Sequence, residues 1–553
     1  MGAKRDKLDM NAQERIQEAI KALQTRKFYS AYPENPRAYA EDANAKGLEA
    51  FQKQLNEPFP GLYDEGCEGR IGEEVSPYMQ VGLGVDYPKF SVDNLINNAT
   101  HSHNSWKNIN VAKRAEILLE SLDAVKEKFF ELAYATMHTT GQSFVMSFQA
   151  SGPHANDRAL ESIALGYHEL TRYDSNVEWV KNMGKFDLKI NKNFKPISKG
   201  IGLVIGCSTF PTWNTVPGVF ANLIVGNAVI VKPHPKSILP IAIVIAEMQK
   251  VFASHGLAQT IVQLAPDVIS NPITKDLAEN SAVRLIDYTG GSQFGEYIES
   301  LPNKTVFTEK AGVNSLILQS VNDPKAVFGN IAFSASLYSG QMCTAPQNIF
   351  VSKDGIKTAD GNLTYDEVVA GIQVSIKGLA DNPKMGPYTL GAIQNDLTKK
   401  RVETVAKDNS VSTVTVDQVN PEFPDARMVI PMVIGVDASD SQWKEECFGP
   451  LLFVIKTDSH EQSLNLAEEL GKSKGAITCA CYTTNEEYQS RVEETMNNVF
   501  VPVSFNFTGA AFVNQHAAFS DFHVTGGNPS GNATFTDSLF VNRRFVWVGN
   551  RFA

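Results

Sequence analysis

The sequence predicts an α/β fold with parallel sheets, divided into more than one domain. Short apolar runs typical of buried strands occur at 202–206, 227–231 and 283–288, and helical sequence separates them. Strands that alternate with helices form parallel sheets, because each crossover helix returns the chain to the same edge of the sheet. The chain of 553 residues also exceeds the usual size of a single hydrophobic core.

The N-terminal part of the chain is predicted to be mainly helical. Residues 11–26 and 154–171 each have the composition of a helix, and a longer helix is predicted over 111–135. The apolar face of that longer helix consists of Leu118, Leu122, Val125, Phe129 and Leu132, at the spacing that one side of an α-helix requires. Residues 1–65 are expected to form an extra layer outside the main domains.

Further strands are predicted later in the chain. Residues 186–190 alternate between apolar and polar side chains, which indicates a half-exposed strand. A second α/β region is expected over about 312–515, and it includes the strand-like run 476–482. Loop-rich sequence with many Gly and Asn residues fills 504–534, and the segment from Leu539 to Val548 has the pattern of a final strand.

Composition and charge argue against several classes of partner. The net charge is −11 and the pI is about 5.5, so the chain lacks the basic surface that attracts nucleic acid or an anionic membrane. We find neither a membrane-spanning apolar run nor the apolar segment of a signal peptide. Six scattered cysteines fit neither a disulfide framework nor a zinc ribbon, so a cytoplasmic location is expected.

Cys343 and Glu309 are the candidate catalytic pair. Cys343 follows Gly340 in a segment that predicts a tight bend opening a helix, where the helix N-terminus would stabilise a thiolate and an oxyanion. A thiolate that attacks an aldehyde forms a thiohemiacetal, and loss of hydride to a nicotinamide leaves a thioester for water to hydrolyse. Glu309 is the candidate general base, and we expect burial to raise its pKa toward neutrality.

Three motifs resemble those of the aldehyde dehydrogenase superfamily. They are Glu-Lys-Ala-Gly at 309–312, Gly-Gln-Met-Cys at 340–343 and Glu-Glu-Cys-Phe-Gly-Pro at 445–450, in the family's order from about residue 100 onward. The resemblance implies a Rossmann-type nucleotide-binding domain, an α/β catalytic domain and a small β oligomerisation element. The implied division is an N-terminal extension (1–65), the nucleotide-binding domain (66–182 and 199–311), the catalytic domain (312–515) and bridging strands (183–198 and 535–553).

The same resemblance implies a nicotinamide cofactor, NADP or NAD. Lys232 would contact the adenine-side ribose, Gly290 and Gly291 would approach the pyrophosphate, and Ser292 would cap the helix that follows. Glu446 would hold the nicotinamide-side ribose. The remaining implied contact is Phe448, packed near the cofactor.

One departure from the family pattern favours NADP. Where NAD-preferring relatives have a Glu three residues after the strand lysine, this chain has Pro235, beside the basic residues Lys232, His234 and Lys236. Without that carboxylate, a 2′-phosphate is not repelled. We therefore expect NADP to be preferred over NAD.

A second departure affects the oxyanion hole, where Thr209 replaces the family's Asn. The loss of one donor in such a hole costs about 3 kcal/mol. Three alternatives could compensate for the missing donor. They are the Thr209 hydroxyl, the nearby Asn214 and a larger contribution from the Cys343 amide. Ala311 and Gly291 are small-for-small changes within other motifs, and we expect them to reshape the site without destroying it.

Three functions are considered on this basis. Segments 29–34, 207–214, 340–347 and 519–523 resemble the branch that oxidises coenzyme A-linked semialdehydes in aerobic phenylacetate and other aromatic degradation. The leading hypothesis is therefore hydrolytic oxidation of an aldehyde, which in that branch is CoA-linked. The alternatives are a CoA-acylating aldehyde dehydrogenase, which would dispense with Glu309, and a non-catalytic binding homologue. A homodimer or homotetramer is expected from exposed strand edges. No metal site is predicted, because no ligand spacing is found among His101, His103, His138 and His154.

Overall fold

The computed structural model describes residues 11–310, 312–408, 420–512, 518–523 and 537–553. It confirms the α/β class with parallel sheets. The helices are α1 (Ala12–Thr25), α2 (Ala43–Gln54), α3 (Val92–Trp106), α4 (Val111–Lys126), α5 (Phe129–Thr140), α6 (Phe144–Gln149), α7 (Ala155–Leu170), α8 (Pro211–Ile224), α9 (Leu239–Ser254), α10 (Thr274–Glu279), α11 (Ser292–Ser300), α12 (Pro324–Ser336), α13 (Tyr365–Ala380), α14 (Gly386–Thr389), α15 (Asp396–Asp408), α16 (His460–Ser473), α17 (Glu486–Asn497) and α18 (Ser538–Asn542).

The strands alternate with these helices along most of the chain. They are β1 (Arg70–Ile71), β2 (Tyr87–Pro88), β3 (Asn176–Asn182), β4 (Asp187–Ser198), β5 (Ile201–Ile205), β6 (Ala228–Lys232), β7 (Val262–Leu264), β8 (Val283–Gly290), β9 (Thr305–Lys310), β10 (Ser315–Leu318), β11 (Asn348–Ser352), β12 (Ile356–Thr358), β13 (Gly361–Leu363), β14 (Met432–Asp437), β15 (Leu451–Thr457), β16 (Cys479–Tyr482), β17 (Val503–Phe505) and β18 (Phe545–Phe552).

The first large sheet has five parallel strands in the order β7-β6-β5-β8-β9. Successive side chains of a strand point to opposite faces. In β6, Val229 and Val231 pack in one cluster with α4, α7, α8 and α9, whereas Ile230 packs in another with α3, α10 and α11. Helices therefore cover both faces, which is why these strands are apolar throughout.

The second large sheet has six parallel strands in the order β14-β15-β11-β10-β16-β17. It is also covered on both faces. In β11, Phe350 packs with α16 and α17, and its neighbours Ile349 and Val351 pack with α12 and α13. β9 of the first sheet ends at Lys310 and β10 of the second begins at Ser315, so Glu309 lies close in sequence to the second sheet.

A three-stranded antiparallel sheet joins early and late parts of the chain, in the order β18-β4-β3. β4 pairs with β18 from Ser198 opposite Phe545 to Asn191 opposite Phe552. Two boundaries differ from the expected division. The range Asn176–Asn182 forms β3 of this sheet instead of belonging to the nucleotide-binding domain, and the strand expected from Leu539 begins only after α18.

A residue between α18 and β18 is hydrogen-bonded to the first sheet. Arg544 is fully buried, and its guanidinium donates two hydrogen bonds to Asp287 of β8, at 2.7 and 2.6 Å. A buried carboxylate is costly unless it is paired and hydrogen-bonded. The pair therefore ties residue 544 to the centre of the nucleotide-binding region.

The N-terminal segment packs closely on the nucleotide-binding region instead of forming a separate layer. Arg15 of α1 donates to Asp123 of α4 at 2.8 Å and to the hydroxyl of Tyr32 at 3.0 Å. Ser30 and the backbone of Ala31 donate to Asp157 of α7 at 2.8 and 2.9 Å. Because these partners are buried or half-buried, the described part of 1–65 belongs to the same packed unit as α4 and α7.

The long helix predicted over 111–135 is two helices. α4 ends at Lys126 and α5 begins at Phe129. The apolar period continues across the break, so the sequence pattern does not reveal it. The break lets Phe129 and Phe130 pack against Tyr39 and Phe148. None of the helices in the described residues has both the length and the apolar character that a bilayer span requires.

Candidate active site

Cys343 follows a strained bend at the end of α12. Tyr338 and Ser339 have φ of 51° and 50°, a conformation that costs energy for residues other than glycine, and Gly340 follows with φ of 68°. Tyr338 donates to the carbonyl of Thr140 at 2.5 Å, and Ser339 donates to the carbonyl of Gly391 at 3.0 Å. These two hydrogen bonds hold the bend and so fix the position of the thiol.

No helix begins after Cys343. The residue lies in a turn, and the chain passes directly into β11 at Asn348. Asn314 holds this turn by donating to the carbonyls of Cys343 and Ala345, at 2.7 and 3.0 Å. The expectation of a helix N-terminus at the thiol is therefore wrong, because the sequence from 344 to 347 has to reach the neighbouring strand.

The thiol of Cys343 is held in its protonated form. Burial raises the pKa of Cys343 well above its ordinary value, and the negative charge of Glu309 and the neighbouring Cys207 raise it further. The predicted stabilisation of a thiolate by a helix is absent. A base must therefore remove the proton before the sulfur can act as a nucleophile.

Glu309 is the carboxylate that lies beside this thiol. It lies on β9 and is only 4% exposed. Asn214 donates to its Oε2 at 2.9 Å, and His523 Nε2 lies 3.4 Å from its Oε1. The Sγ of Cys343, a carboxylate oxygen of Glu309 and a ring nitrogen of His523 all lie within 4.8 Å of one another.

The pKa of Glu309 is below its ordinary value, which contradicts the sequence-based expectation. Burial acts to raise it, but the hydrogen bond and charge of His523 and the charge of Arg158 outweigh burial. Glu309 is consequently ionised at neutral pH. The resting pair is thus a neutral thiol beside a carboxylate.

Thr209 and Asn214 both line the cavity around Cys343. Thr209 lies in the loop between β5 and α8, where its hydroxyl is 3.9 Å from the sulfur of Cys207 and its carbonyl accepts from Gln142 at 2.7 Å. Asn214 lies one turn into α8 and reaches Glu309. The structure brings both candidate oxyanion donors to the site.

A cavity of about 260 Å³ extends from Cys343 to the carboxyl ends of β5 and β8. The strand order reverses at β5, which has β6 on one side and β8 on the other. Nucleotides bind at such a switch point, outside the carboxyl ends of the strands. The cavity is lined by Cys207, Ser208, Thr209, Phe210, Asn214, Thr289, Gly290, Gly291, Glu309, Lys310, Gln341, Cys343, Gln394, Asn395, Leu397, Thr398, Arg401, Glu446 and Phe448.

The glycines at the end of β8 suit close approach of a phosphate. A side chain at Gly290 would come within 2.5 Å of the Tyr288 hydroxyl, whereas Gly291 faces open space. Gly291 is the N-cap residue of α11, and Ser292 is its first helical residue. The prediction that Ser292 caps this helix is therefore wrong. The backbone N–H groups of the first turn are available to bind an anion.

Glu446 and Phe448 line the opposite wall of the cavity. Burial raises the pKa of Glu446 to about 7, although the positive charge of Arg401 opposes the rise. Arg401 also donates to the carbonyl of Phe448 at 2.7 Å, which orders this wall. A nicotinamide cofactor that spans the cavity would have its ribose near Glu446 and its ring near Cys343.

Lys232, like Ser292, is a predicted residue that does not line this cavity. It is 3% exposed, and its ammonium lies 2.6 Å from Asp267. Burial lowers the pKa of the neighbouring His234 to about 4, so that imidazole is neutral at neutral pH. The basic cluster expected around Pro235 therefore carries much less net positive charge than its sequence implies.

A second, apolar cavity of about 160 Å³ reaches Cys343 from the other side. It is lined by Met146, Gln149, Ala150, His154, Phe210, Trp213, Asn214, Phe333, Leu337, Met342, Cys343, Thr344, Ala510 and Phe512. Among the described residues of this lining, His154 is the one titratable group other than Cys343, and it lies 2.8 Å from Glu34. The cavity suits an apolar substrate whose reacting carbon approaches the sulfur.

Comparison with known proteins identifies the family. Residues 85–528 match the model of the aldehyde dehydrogenase family. The chain belongs to that family. As an aldehyde dehydrogenase, it is an oxidoreductase that oxidises aldehydes with NAD or NADP.

Individual aldehyde dehydrogenases are similar over most of the chain. A Burkholderia multivorans enzyme described as an NAD-dependent aldehyde dehydrogenase superposes with a TM-score of 0.93 at 42% identity, covering 98% of both chains. Benzaldehyde dehydrogenase YfmT of Bacillus subtilis (strain 168) is 23% identical over 464 residues, which is 81% of this chain and 89% of that one. The 1-pyrroline-5-carboxylate dehydrogenase of Thermus thermophilus shares the fold, with a TM-score of 0.75 at 18% identity over 95% of this chain and 99% of that one.

Sequence reasoning on this aldehyde dehydrogenase missed two functional candidates. The sequence pointed to His523 only through the segment 519–523, which resembles one branch of the family. It gave no indication of Arg158. Arg158 is buried with its guanidinium 3.8 Å from the centre of the Trp213 ring, and its charge reaches Glu309. A buried Arg within an apolar helix was the available signal for Arg158, whereas nothing local linked residue 523 to residue 309. Ala311 lies outside the described residues.

Proposed function

We propose that the protein oxidises an aldehyde to its carboxylic acid through a covalent thioester on Cys343, with Glu309 as the general base. The observation that carries the proposal is the pairing of a protonated thiol with an ionised, buried carboxylate where the two cavities meet. An aldehyde in the apolar cavity and a nicotinamide in the other cavity would meet at the sulfur.

The first half of the reaction uses Glu309 to take the proton from Cys343. The thiolate then attacks the carbonyl carbon and forms a thiohemiacetal. The backbone amide of Cys343 and the side chains of Thr209 and Asn214 are the donors available to the developing oxyanion. A nicotinamide cofactor, when bound, would supply the hydride acceptor, so that the acyl group would remain on Cys343 as a thioester.

The second half is hydrolysis, for which Glu309 first releases to solvent the proton that it took from Cys343 and then removes a proton from water. Glu309 is ionised at neutral pH and is held by Asn214, so it is ready to act as the base. This supports hydrolysis over transfer of the acyl group to CoA, because the acylating alternative has no use for a held carboxylate. It also argues against a non-catalytic binding protein, in which the pair would serve no purpose.

Within the two possible cofactors, we favour NAD. Asp267 neutralises Lys232, and His234 is uncharged at neutral pH, so two of the three groups expected to attract a 2′-phosphate do not do so. The pair of Lys232 and Asp267 carries no net charge, so it offers a 2′-phosphate little attraction. The enzyme from Burkholderia multivorans, which is 42% identical, is described as NAD-dependent.

For the substrate, we favour an apolar aldehyde of aromatic size. The lining of the cavity is dominated by Phe210, Trp213, Phe333 and Phe512, and it contains no Lys or Arg among the described residues. A relative is named benzaldehyde dehydrogenase. The second candidate is the CoA-linked semialdehyde of phenylacetate degradation. This candidate is favoured by segments 29–34 and 519–523, which both resemble that branch. The two segments are in contact, because Tyr29 packs edge-on against Phe519 with ring centres 4.9 Å apart.

We also propose a homo-oligomer that assembles through the three-stranded sheet. Apolar side chains on its strands are exposed, namely Val180, Leu188, Ile197, Val546, Val548 and Phe552. An exposed strand edge with apolar side chains tends to pair with a second copy. Light scattering should give the mass of a dimer or tetramer.

The six free cysteines support a reducing, cytoplasmic location.

Single-turnover kinetics tests the proposed reaction. Benzaldehyde would be mixed with the enzyme and NAD or NADP, and the reduced cofactor followed. We expect no burst from Cys343→Ala and one burst without turnover from Glu309→Gln, with NAD faster than NADP in the unmodified enzyme. A burst that persists in Cys343→Ala would refute the covalent mechanism. Turnover only with a CoA-linked semialdehyde would favour the second substrate.

A further inference from the structure

We propose that His523 is a positioning residue for the general base, one that orients the Glu309 carboxylate and keeps it available to water. The inference rests on the proposed function, because it assigns a role to His523 through Glu309. His523 lies 214 positions after Glu309 along the chain. Its segment, 518–523, lies apart from the three motifs that indicated the family.

The geometry places the imidazole against one oxygen of the base. His523 Nε2 is 3.4 Å from Oε1 of Glu309, while Asn214 donates to Oε2 at 2.9 Å. The two oxygens therefore have different partners, one from the 518–523 segment and one from α8. A carboxylate held at both oxygens cannot rotate freely, and a base acts efficiently only when its lone pair faces the water that it deprotonates.

The imidazole is itself fixed in place. His523 is 3% exposed, and its ring packs edge-on against Trp213, with ring centres 5.2 Å apart. Trp213 in turn stacks under the Arg158 guanidinium at 3.8 Å. Upstream of His523, the backbone of Phe519 donates to Glu161 at 2.6 Å. The segment is thus anchored on α7 and α8.

Several charged or titratable groups surround the pair. Glu309 interacts electrostatically with His523, Arg158, Cys343 and Cys207. Asp521 interacts electrostatically with His523 and Arg158. Among them, His523 has the largest effect in opposing burial. Lys310, next to Glu309 on β9, is paired with Glu299 at 3.0 Å instead.

Removing His523 should therefore raise the pKa of Glu309. Burial raises the pKa of a carboxyl, and without the imidazole this effect meets less opposition. Glu309 would be protonated over more of the neutral range, so deacylation would fail at a higher pH than in the unmodified enzyme. The acid limb of the deacylation rate should move to higher pH.

The test separates acylation from deacylation in the full-length enzyme. The burst rate and the steady-state rate with benzaldehyde and NAD would be measured against pH for His523→Ala, His523→Gln and the unmodified enzyme. We expect the acid limb of the steady-state rate to move by about one pH unit toward alkaline pH in His523→Ala. His523→Gln, which keeps a donor but no charge, should recover part of the alkaline-pH rate while its acid limb stays displaced.

The matched control is Phe522→Leu, in the same segment. Phe522 is half exposed and packs under Arg26. This control should keep the acid limb of the unmodified enzyme. If both His523 variants also keep that limb, or lose rate equally at every pH together with a lower melting temperature, the positioning role is refuted. If His523→Ala does not fold, His523→Gln decides. If the unmodified enzyme reduces no cofactor, the proposed function fails first.

Discussion

Asn214 donates a hydrogen bond from its side-chain nitrogen to Oε2 of Glu309 at 2.9 Å. The residue is on α8, five positions after Thr209, and the sequence named it as an alternative oxyanion donor. An amide nitrogen carries two hydrogens, so Asn214 can hold the base with one and donate the other into the cavity. This makes Asn214 a stronger candidate than Thr209 for the oxyanion donor, because the hydroxyl of Thr209 is near the sulfur of Cys207.

Replacing Asn214 with Ala should therefore cost more than replacing Thr209 with Val. Loss of one oxyanion donor lowers kcat by roughly 10²–10³-fold, and Asn214→Ala would also release Glu309. We expect Thr209→Val to lower kcat by about tenfold or less. Burst and steady-state rates with benzaldehyde would distinguish them. The reverse order would identify Thr209 as the donor.

Gly340→Ala should misplace the nucleophile. The added Cβ would lie 2.5 Å from the carbonyl oxygen of Gly449, at a φ of 68° that a side chain disfavours. We expect the burst rate to fall by roughly tenfold or more and the melting temperature to fall as well. The control is Gly329→Ala in α12, where a Cβ meets nothing within 4 Å. A burst unchanged in Gly340→Ala would show that the bend does not position Cys343.

Cofactor affinity should depend on pH through Glu446. Burial raises the pKa of Glu446 to about 7, so the carboxylate is ionised above that pH and protonated below it. The ionised form accepts hydrogen bonds from ribose hydroxyls more strongly. We expect the Kd for NAD, measured by fluorescence titration, to rise as the pH falls below about 7 in the unmodified enzyme. Glu446→Gln should bind weakly without this dependence, and Glu445→Gln, an exposed neighbour, should keep it.

Asp267→Asn should improve the use of NADP. The change removes the negative charge that pairs with Lys232 at 2.6 Å and leaves the ammonium available to a 2′-phosphate. We expect the ratio of kcat/KM for NADP to that for NAD to rise by about tenfold. Asp276→Asn, at an exposed position on α10, is the control. An unchanged ratio would mean that the adenine-side ribose does not bind beside Asp267.

Glu161 should make the protein less stable as the pH rises. It is fully buried, and burial raises its pKa to about 8 from 4.5, although Arg158 opposes the rise. Between these two values the unfolded chain has lost the proton that the folded protein keeps, so the free energy of unfolding falls with increasing pH. Glu161→Gln should flatten this slope in chemical denaturation between pH 5 and pH 8. Glu18→Gln, on the exposed face of α1, should leave the slope unchanged.

The sequence was a good guide to what depends on local pattern. Runs such as 227–231 became strands because an apolar stretch covered on both faces has few alternatives. Seven of the nine predicted site residues line one cavity, and the two exceptions are Lys232 and Ser292. The two predictions failed for different reasons. Lys232 forms an ion pair with Asp267, and Ser292 is one position after the N-cap residue of α11.

The electrostatics of the site could not be predicted from sequence. Burial alone would raise the pKa of Glu309, and the opposite result arises from His523 and Arg158, which are distant along the chain. The break between Lys126 and Phe129 was equally hidden, because an apolar period says nothing about a change of helix axis. Contacts between distant residues decide both properties, and a single sequence records none of them.

The bond between Arg544 and Asp287 has a consequence for how the protein is made. A ribosome releases the strands of the first sheet long before residue 544 leaves the exit tunnel, so a nascent chain must carry Asp287 for that interval without its guanidinium partner. The nucleotide-binding region can then reach its final packing only after residue 544 has left the tunnel. A chain that carries Cys343 and Glu309 but not yet Arg544 would therefore have the catalytic pair without the finished packing of the sheet that binds the cofactor.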